Sequence, residues 1–142
     1  MLLLILCFLL IEEKINKDAV PQPIKEEFRR LFPKAKLKEA KLKTRDGVYY
    51  YELEGEENNK EVSAEFKFNF ELVEYSEDIS IDELPRNLHE AVTKQIKGQI
   101  TEVERIYVKG KLTSYEIEYK LGDKTFELEI DTNGNILRNE ED

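Results

Sequence analysis

The feature that most constrains this chain is that it repeats itself. Laid over residues 82–142 without a gap, residues 18–78 place Asp18 on Asp82, Pro21 on Pro85, Glu26 on Glu90, Tyr51 on Tyr115 and Glu52 on Glu116. Further on, Glu54 falls on Glu118, Lys60 on Lys124, Glu65 on Glu129 and Asn69 on Asn133. Between these identities apolar meets apolar: Ile24 and Leu88, Phe28 and Val92, Phe32 and Ile96, Leu42 and Ile106, Leu53 and Ile117, Phe66 and Ile130, Leu72 and Ile136. A shared apolar phase means that both stretches bury the same positions, so the expected architecture is one small unit used twice. The boundaries read as residues 1–17, an apolar leader and spacer, 18–81, the first unit, and 82–142, the second. The two units together make one domain.

Each unit opens on a helix. Val20, Ile24, Phe28, Leu31 and Phe32 share a face, as do Leu84, Leu88, Val92 and Ile96. Asp18 and Asp82 stand where a side chain could accept from free amide groups of a first turn, and a proline is tolerated there. Pro33 ends the first helix. Helices this short need packing to persist, and the packing partner reads as antiparallel sheet.

Runs of period two follow each helix, broken by turn signals at Asp46-Gly47, Asn58-Asn59, Lys109-Gly110, Gly122-Asp123 and Asn133-Gly134. A two-residue turn at Gly122-Asp123 sets Tyr119 opposite Phe126, Ile117 opposite Leu128 and Tyr115 opposite Ile130. The turn at Asn58-Asn59 sets Leu53 opposite Ala64 and Tyr51 opposite Phe66, and Asp46-Gly47 brings Leu42 to Tyr51. The fold class is therefore α+β: two tandem units, each a helix followed by a three- to four-stranded antiparallel meander, with the helices on one face of the sheet. Asp131-Thr132-Asn133-Gly134-Asn135 lacks the glycine and glutamate spacing of an EF-hand loop and reads as a type I′ hairpin turn.

The same registers load the other face with carboxylates. Glu118 falls opposite Glu127, Glu116 opposite Glu129 and Glu52 opposite Glu65, with Lys41 expected beside Glu52 and Arg105 beside Glu116. Tyr50 and Tyr107 are expected on this same outward face. Like charges across a strand pair are destabilising, so the face is either a solvated, salt-bridged surface, a surface for a basic partner, or a place for a hard cation such as calcium. The candidate binding residues are Tyr50, Glu52, Glu65, Tyr107, Glu116, Glu118, Glu127 and Glu129.

Composition removes several function classes. The net charge of −9 argues against nucleic acid, which needs a basic surface. One cysteine, Cys7, and one histidine, His89, leave no disulfide framework, no ordinary zinc site and no Ser-His-Asp or Cys-His catalysis. A hydrolase with paired carboxylates is the remaining enzymatic alternative, but nothing in the sequence supplies a lid or a glycine-rich active-site loop. No catalytic residue, metal ligand or cofactor is assigned. Residues 1–11, MLLLILCFLLI, are too short to span a bilayer as a helix and fit an export signal, although neither a basic start nor a small-x-small cleavage site accompanies them. LILC loosely matches a lipoprotein box, with Leu6 where a small residue is needed. The expected location is extracytoplasmic, with membrane contact only through this segment.

The segments AVPQPIKEEFRRLFPKAKL, YYYELE and AEFKFN, then LPRNLHEAV, SYEIEY and FELEIDTNGNIL, resemble the PepSY-like, beta-lactamase-inhibitor-protein-like domains, exported proteins of the Bacteroidetes type. The resemblance covers residues 19–138, and its motifs are structural. It implies an α+β fold, export, no enzymatic activity, and a role in gripping or restraining a protein partner in the cell envelope. Some members carry a calcium-related label. The first half departs from the pattern at Asn69-Phe70, where Asn-Gly is expected, which implies a looser hairpin there.

Overall fold

The structure, a computed structural model, describes residues 11–142. The leader, up to Leu10 and including Cys7, thus lies outside the described residues. Among the described residues, nine antiparallel strands follow one another in a single sheet, each hydrogen-bonded to its neighbours in sequence. They are β1 (Ile11–Ile15), β2 (Lys36–Arg45), β3 (Val48–Glu57), β4 (Lys60–Lys67), β5 (Leu72–Ile79), β6 (Gln99–Val108), β7 (Lys111–Leu121), β8 (Lys124–Asp131) and β9 (Ile136–Glu141). Helix α1 (Gln22–Leu31) lies between β1 and β2, and α2 (Arg86–Gln95) between β5 and β6. The α+β class therefore holds, with four strands after each helix. All nine strands nevertheless join through the β5–β6 pairing instead of forming separate meanders. Residues 11–15, read from the sequence as leader and spacer, form β1 and pair with β2.

One face of the sheet is dry. Beneath α1, Ile24 and Phe28 bury against Ala40, Leu53, Val62, Ala64 and Phe66; beneath α2, Leu88 and Val92 bury against Val103, Tyr115, Ile117, Leu128 and Ile130. Burying each large side chain contributes roughly 1.5–3 kcal/mol, which holds helices too short to persist alone. Side-chain volume is traded between the two clusters. A Cβ on Gly55 would meet the Phe28 ring at 2.8 Å, so the large Phe28 needs a glycine below it. In the second cluster the smaller Val92 accompanies Tyr119, which stacks on Phe126 at 5.3 Å.

The expected helix starts need correction. A 3-10 turn precedes each helix, Lys17–Ala19 and Ile81–Glu83, capped by Asn16 and Ser80. Asp18 and Asp82 lie inside these turns and offer their backbone N–H to Asn16 Oδ1 (2.9 Å) and Ser80 Oγ (3.3 Å). Pro21 and Pro85 then occupy the helix caps proper, with no side-chain cap bond.

The hairpin registers agree with expectation at Tyr119/Phe126, Ile117/Leu128, Tyr115/Ile130, Leu53/Ala64, Tyr51/Phe66 and Leu42/Tyr51. The turn after β8 is longer than the type I′ expectation. Asp131 Oδ1 accepts from Asn133 N and Asn135 N, both at 2.9 Å, and Gly134 supplies φ +87. The turn after β4 is built the same way and is no looser. Lys67 N donates to Glu71 O and Phe70 N to Lys67 O, both at 2.9 Å, while Phe70 itself takes φ +74.

Candidate functional site

Opposite the helices, alternate residues of β2 to β9 present the acidic face. Two cross-strand rows define it. One runs Lys41, Glu52, Glu65, Glu74 across β2 to β5. The other runs Asp78, Glu104, Glu116, Glu129, Arg138 across β5 to β9. Each row carries a cation at its outer end, so the carboxylates at the inner ends meet where β5 pairs with β6.

The outer ends are well compensated. Lys43 pairs with Glu52, Lys41 with Glu54 at 3.0 Å, and Arg45 approaches Glu65 at 3.6 Å. At the other edge one guanidinium, that of Arg138, reaches Glu140 (2.6 Å), Glu116 (3.1 Å), Glu127 (3.2 Å) and Glu129 (3.7 Å). The Glu140 hydrogen bond, with these other carboxylates, raises its pKa further.

The seam between them is different. Among the described residues, Glu61, Glu74, Asp78, Glu102 and Glu104 form no ion pair with any lysine or arginine. Glu61, Glu74, Glu102 and Glu104 line a concavity of about 320 Å³ together with Glu52, Glu54, Glu65 and Glu116, the cations Lys43 and Arg45 stand on its β2 side, and Asp78 lies beside it. Glu65 is only 7% exposed and its Oε1 accepts no hydrogen bond, and Asp78 Oδ1 is buried without one. Burial, followed by repulsion from Glu102 and Glu116, pushes the Glu104 carboxyl up to about 9. Burial with the neighbouring Asp78 raises Glu102 to about 7, and burial with the nearby Glu127 raises Glu116 to about 7. Burial also raises Glu61 and Glu74. Near neutral pH this cluster therefore holds protons that isolated glutamates would have released.

A one-residue shift explains the seam. The sequence offset places Arg105 beside Glu116, but the β6–β7 register, interrupted by β-bulges at Ile100/Glu102 and Ile106/Tyr107, runs one residue off that expectation. Glu104 faces Glu116 instead, and Arg105 turns to the helix side, where it meets Glu77 at 2.8 Å. Tyr107 turns with it, stacking on Tyr75 at 4.7 Å and approaching Glu77 Oε1 at 3.4 Å. The expectation that Tyr107 shares the acidic face with Tyr50 is thereby corrected, since a bulge exchanges the faces of every residue beyond it. Tyr50, Glu52, Glu65, Glu116, Glu118, Glu127 and Glu129 do share that face, and the expected pairings Glu52/Glu65, Glu116/Glu129 and Glu118/Glu127 are present. The seam carboxylates Glu61, Glu74, Asp78, Glu102 and Glu104 were not expected from the sequence, because β5–β6 pairing carries no turn signal.

Two groups of carboxylates come close enough to share a cation: Glu61, Asp78 and Glu102, and Glu118, Glu127 and Asp142, each with oxygens within 4.8 Å of one another. No helix among the described residues is long and apolar enough to cross a membrane.

No protein-family model and no curated protein sequence matches the chain. Solved structures do. A BLIP-like protein from Bacteroides fragilis superposes with a TM-score of 0.64 at 20% identity, covering 85% of each chain. A DUF2874 family protein from Bacteroides ovatus gives 0.69 at 18% identity, over 87% of this chain and 89% of that one. A candidate periplasmic protein from Bacteroides eggerthii gives 0.70 at 16% identity, over 86% and 88%. The likeness read from the sequence thus has its counterpart in three dimensions, and the chain has the fold of the BLIP-like and DUF2874 proteins of Bacteroides.

Proposed function

We propose that this chain is a non-catalytic module of the cell envelope, built from two copies of a helix-and-meander unit, whose acidic sheet face receives a basic segment of a protein partner. The observation that carries this reading is the seam: carboxylates around an open concavity, most of them partly buried, with no lysine or arginine of the described chain paired to Glu61, Glu74, Asp78, Glu102 or Glu104. A partner's lysine or arginine would supply the missing counter-charge and hydrogen bonds. The fold shared with BLIP-like and candidate periplasmic proteins supports an extracytoplasmic, non-enzymatic role, as inhibitor or regulator.

Affinity capture from an envelope extract tests the reading. Neutralising the seam with Glu61→Gln, Glu102→Gln and Glu104→Gln should abolish capture of the partner while leaving the fold intact. If the captured proteins are unchanged, the seam is not the binding surface.

A second reading is favoured by Asp78 Oδ1, buried without a hydrogen bond beside Glu61 and Glu102: a calcium-responsive module, with those three carboxylates as ligands. Binding to the native state must raise stability. An unfolding midpoint that does not move in millimolar calcium removes this alternative.

A further inference from the structure

The last strand of each half occupies the same place in its meander. Strand β9 pairs with β8 as β5 pairs with β4, residue for residue along the repeat. Ile136 lies on Ile130 as Leu72 on Phe66, Arg138 on Glu129 as Glu74 on Glu65, Asn139 on Leu128 as Tyr75 on Ala64, and Glu141 on Phe126 as Glu77 on Val62. Both pairings shift register at the same point, between Glu65 and Phe66 and between Glu129 and Ile130. The outer edge of β9 therefore has the geometry of the edge through which β5 receives β6. Among the described residues, no strand pairs with that edge of β9.

The first half shows how such an edge is filled. β6 lies antiparallel to β5, with Tyr107 opposite Tyr75, Ile106 opposite Ser76 and Arg105 opposite Glu77. On the helix side Tyr107 stacks on Tyr75 at 4.7 Å and Arg105 pairs with Glu77 at 2.8 Å. Leu72 and Val73 of β5 are half-buried, whereas their counterparts in β9, Ile136 and Leu137, are 51% and 57% exposed. Ile136 also borders a cleft of about 130 Å³ between α2 and β8, lined by Ala91, Val92, Gln95, Leu128 and Ile130. The first half has larger side chains around the matching space: Phe28 for Val92, and Phe32, whose ring meets Tyr75 at 5.9 Å, for Ile96.

Charge fixes the kind of strand that fits. Glu140, Glu141 and Asp142 lie together at one end of β9, and Glu141 holds the position of Glu77, the partner of Arg105 in the filled edge. Glu141 itself reaches Lys124 at 3.7 Å in an exposed pair, which is readily exchanged. An antiparallel occupant lays its N-terminal half along these acids and its C-terminal half along Leu137 and Ile136. Charged side chains are one means by which an edge is protected from pairing, and the two apolar positions of β9 carry none.

We propose that the free edge of β9 is a docking site for an extended segment of another protein, added antiparallel to the sheet, basic in its N-terminal half and apolar or aromatic in its C-terminal half. Main-chain hydrogen bonds to β9 supply affinity, and alternate side chains supply specificity. The β5–β6 pairing is the filled version of the same edge, with Arg105 before Tyr107 in the required order. A second copy of this chain fits less well, because two bodies of net charge −9 repel. The edge lies apart from the β5–β6 seam, so this inference does not rest on the partner proposed for the acidic face.

The probe is the β6 segment Gln99–Val108 as a synthetic peptide carrying Glu102→Lys and Glu104→Lys. The full chain carrying Glu61→Gln, Glu102→Gln and Glu104→Gln, which neutralises the seam, should bind it saturably. Amide hydrogen exchange should then slow several-fold in Ile136–Glu141 and stay unchanged in β5. Leu137→Lys should weaken binding several-fold, as should N-methylation of the peptide at the adjacent residues Ile106 and Tyr107, which keeps every charge but removes the donor facing β9. Binding indifferent to N-methylation, or without protection in β9, would overturn the proposal. Binding to the unmodified chain that is lost when the seam is neutralised would return the peptide to the acidic face and overturn it too. Dimerisation of the chain alone, abolished by Leu137→Lys, would assign the edge to a second copy and equally overturn it.

Discussion

The acidic face contains two regions built from the same residue type with opposite treatment of charge. At the β9 edge, Arg138 ties together Glu116, Glu127, Glu129 and Glu140. At the β5–β6 seam, Asp78 faces Glu104 and Glu104 faces Glu116, with no lysine or arginine among the described residues paired to Asp78 or Glu104. Both regions gather carboxylates, but only the edge is neutralised from within. A face that served solubility alone would gain nothing by partly burying unpaired carboxylates at its centre. The difference teaches that net charge is the wrong descriptor here: what matters is where the counter-charges are missing.

Removing the edge's cation should have the largest effect. Arg138→Ala leaves four glutamates facing one another, and half-buried carboxylates stripped of their partner should cost about 2–4 kcal/mol in denaturant unfolding at pH 7.5. A loss comparable to that of an exposed pair, under about 1 kcal/mol, would erase the distinction between edge and seam.

The seam should respond in the opposite sense. Glu104→Gln removes a carboxyl that the fold forces to keep its proton, and should stabilise the protein by about 1–3 kcal/mol at pH 8. At pH 5 the same substitution should have a much smaller effect, because the unfolded carboxyl is then close to its own ordinary pKa and gains little by ionising. Destabilisation at pH 8 would mean that Glu104 has a cationic partner within the fold.

The pH dependence of wild-type stability follows from the same groups. Glu102, Glu104 and Glu116 have folded pKa values near 7, 9 and 7, above their ordinary value of 4.5. Between those limits the folded state binds more protons than the unfolded one. Their contribution is therefore full below about pH 4.5 and is lost as pH rises toward 9. Unfolding free energies should fall from pH 5 to pH 9, and Glu104→Gln should flatten the slope. A rising profile over this range would contradict the assignment.

A smaller effect sharpens the comparison between the two matching turns. Phe70→Gly should raise stability by about 0.5–1 kcal/mol, since glycine adopts the positive φ without the penalty. A loss of stability would show that the Phe70 ring contributes packing that the strain does not offset.

Much of this fold is legible in the sequence for identifiable reasons. Asp46-Gly47 and Asn58-Asn59 adopt positive φ at both residues, and Gly122 at the first of its pair, so these tight turns fix the strand registers on either side. The core followed because alternation with a fixed register leaves one choice of inward face. What was not legible depended on events without a local signature. The bulges in the β6–β7 pairing, at Thr101 and Thr113, which accompany the placing of Arg105 and Tyr107 on the helix side, carry no turn signal in the sequence. The joining of β5 to β6, which creates the seam, spans a helix and a long connection, where no turn residue specifies register. The Asp18 and Asp82 positions misled because the caps belong to 3-10 turns that begin two residues earlier, at Asn16 and Ser80. The candidate residues on the acidic face were thus found from the hairpins, whereas its unpaired centre required the structure.

The central claim is that the seam awaits an external cation. Amide and side-chain carboxyl NMR of the chain titrated with an arginine-rich peptide at pH 7.5 tests it most directly. The account predicts saturable shifts confined to Glu61, Glu74, Asp78, Glu102 and Glu104, weakening as pH is lowered to 5 and Glu102 takes up its proton. Shifts that instead follow the exposed acids Glu140, Glu141 and Asp142, or that are absent from the seam at saturating peptide, would contradict it.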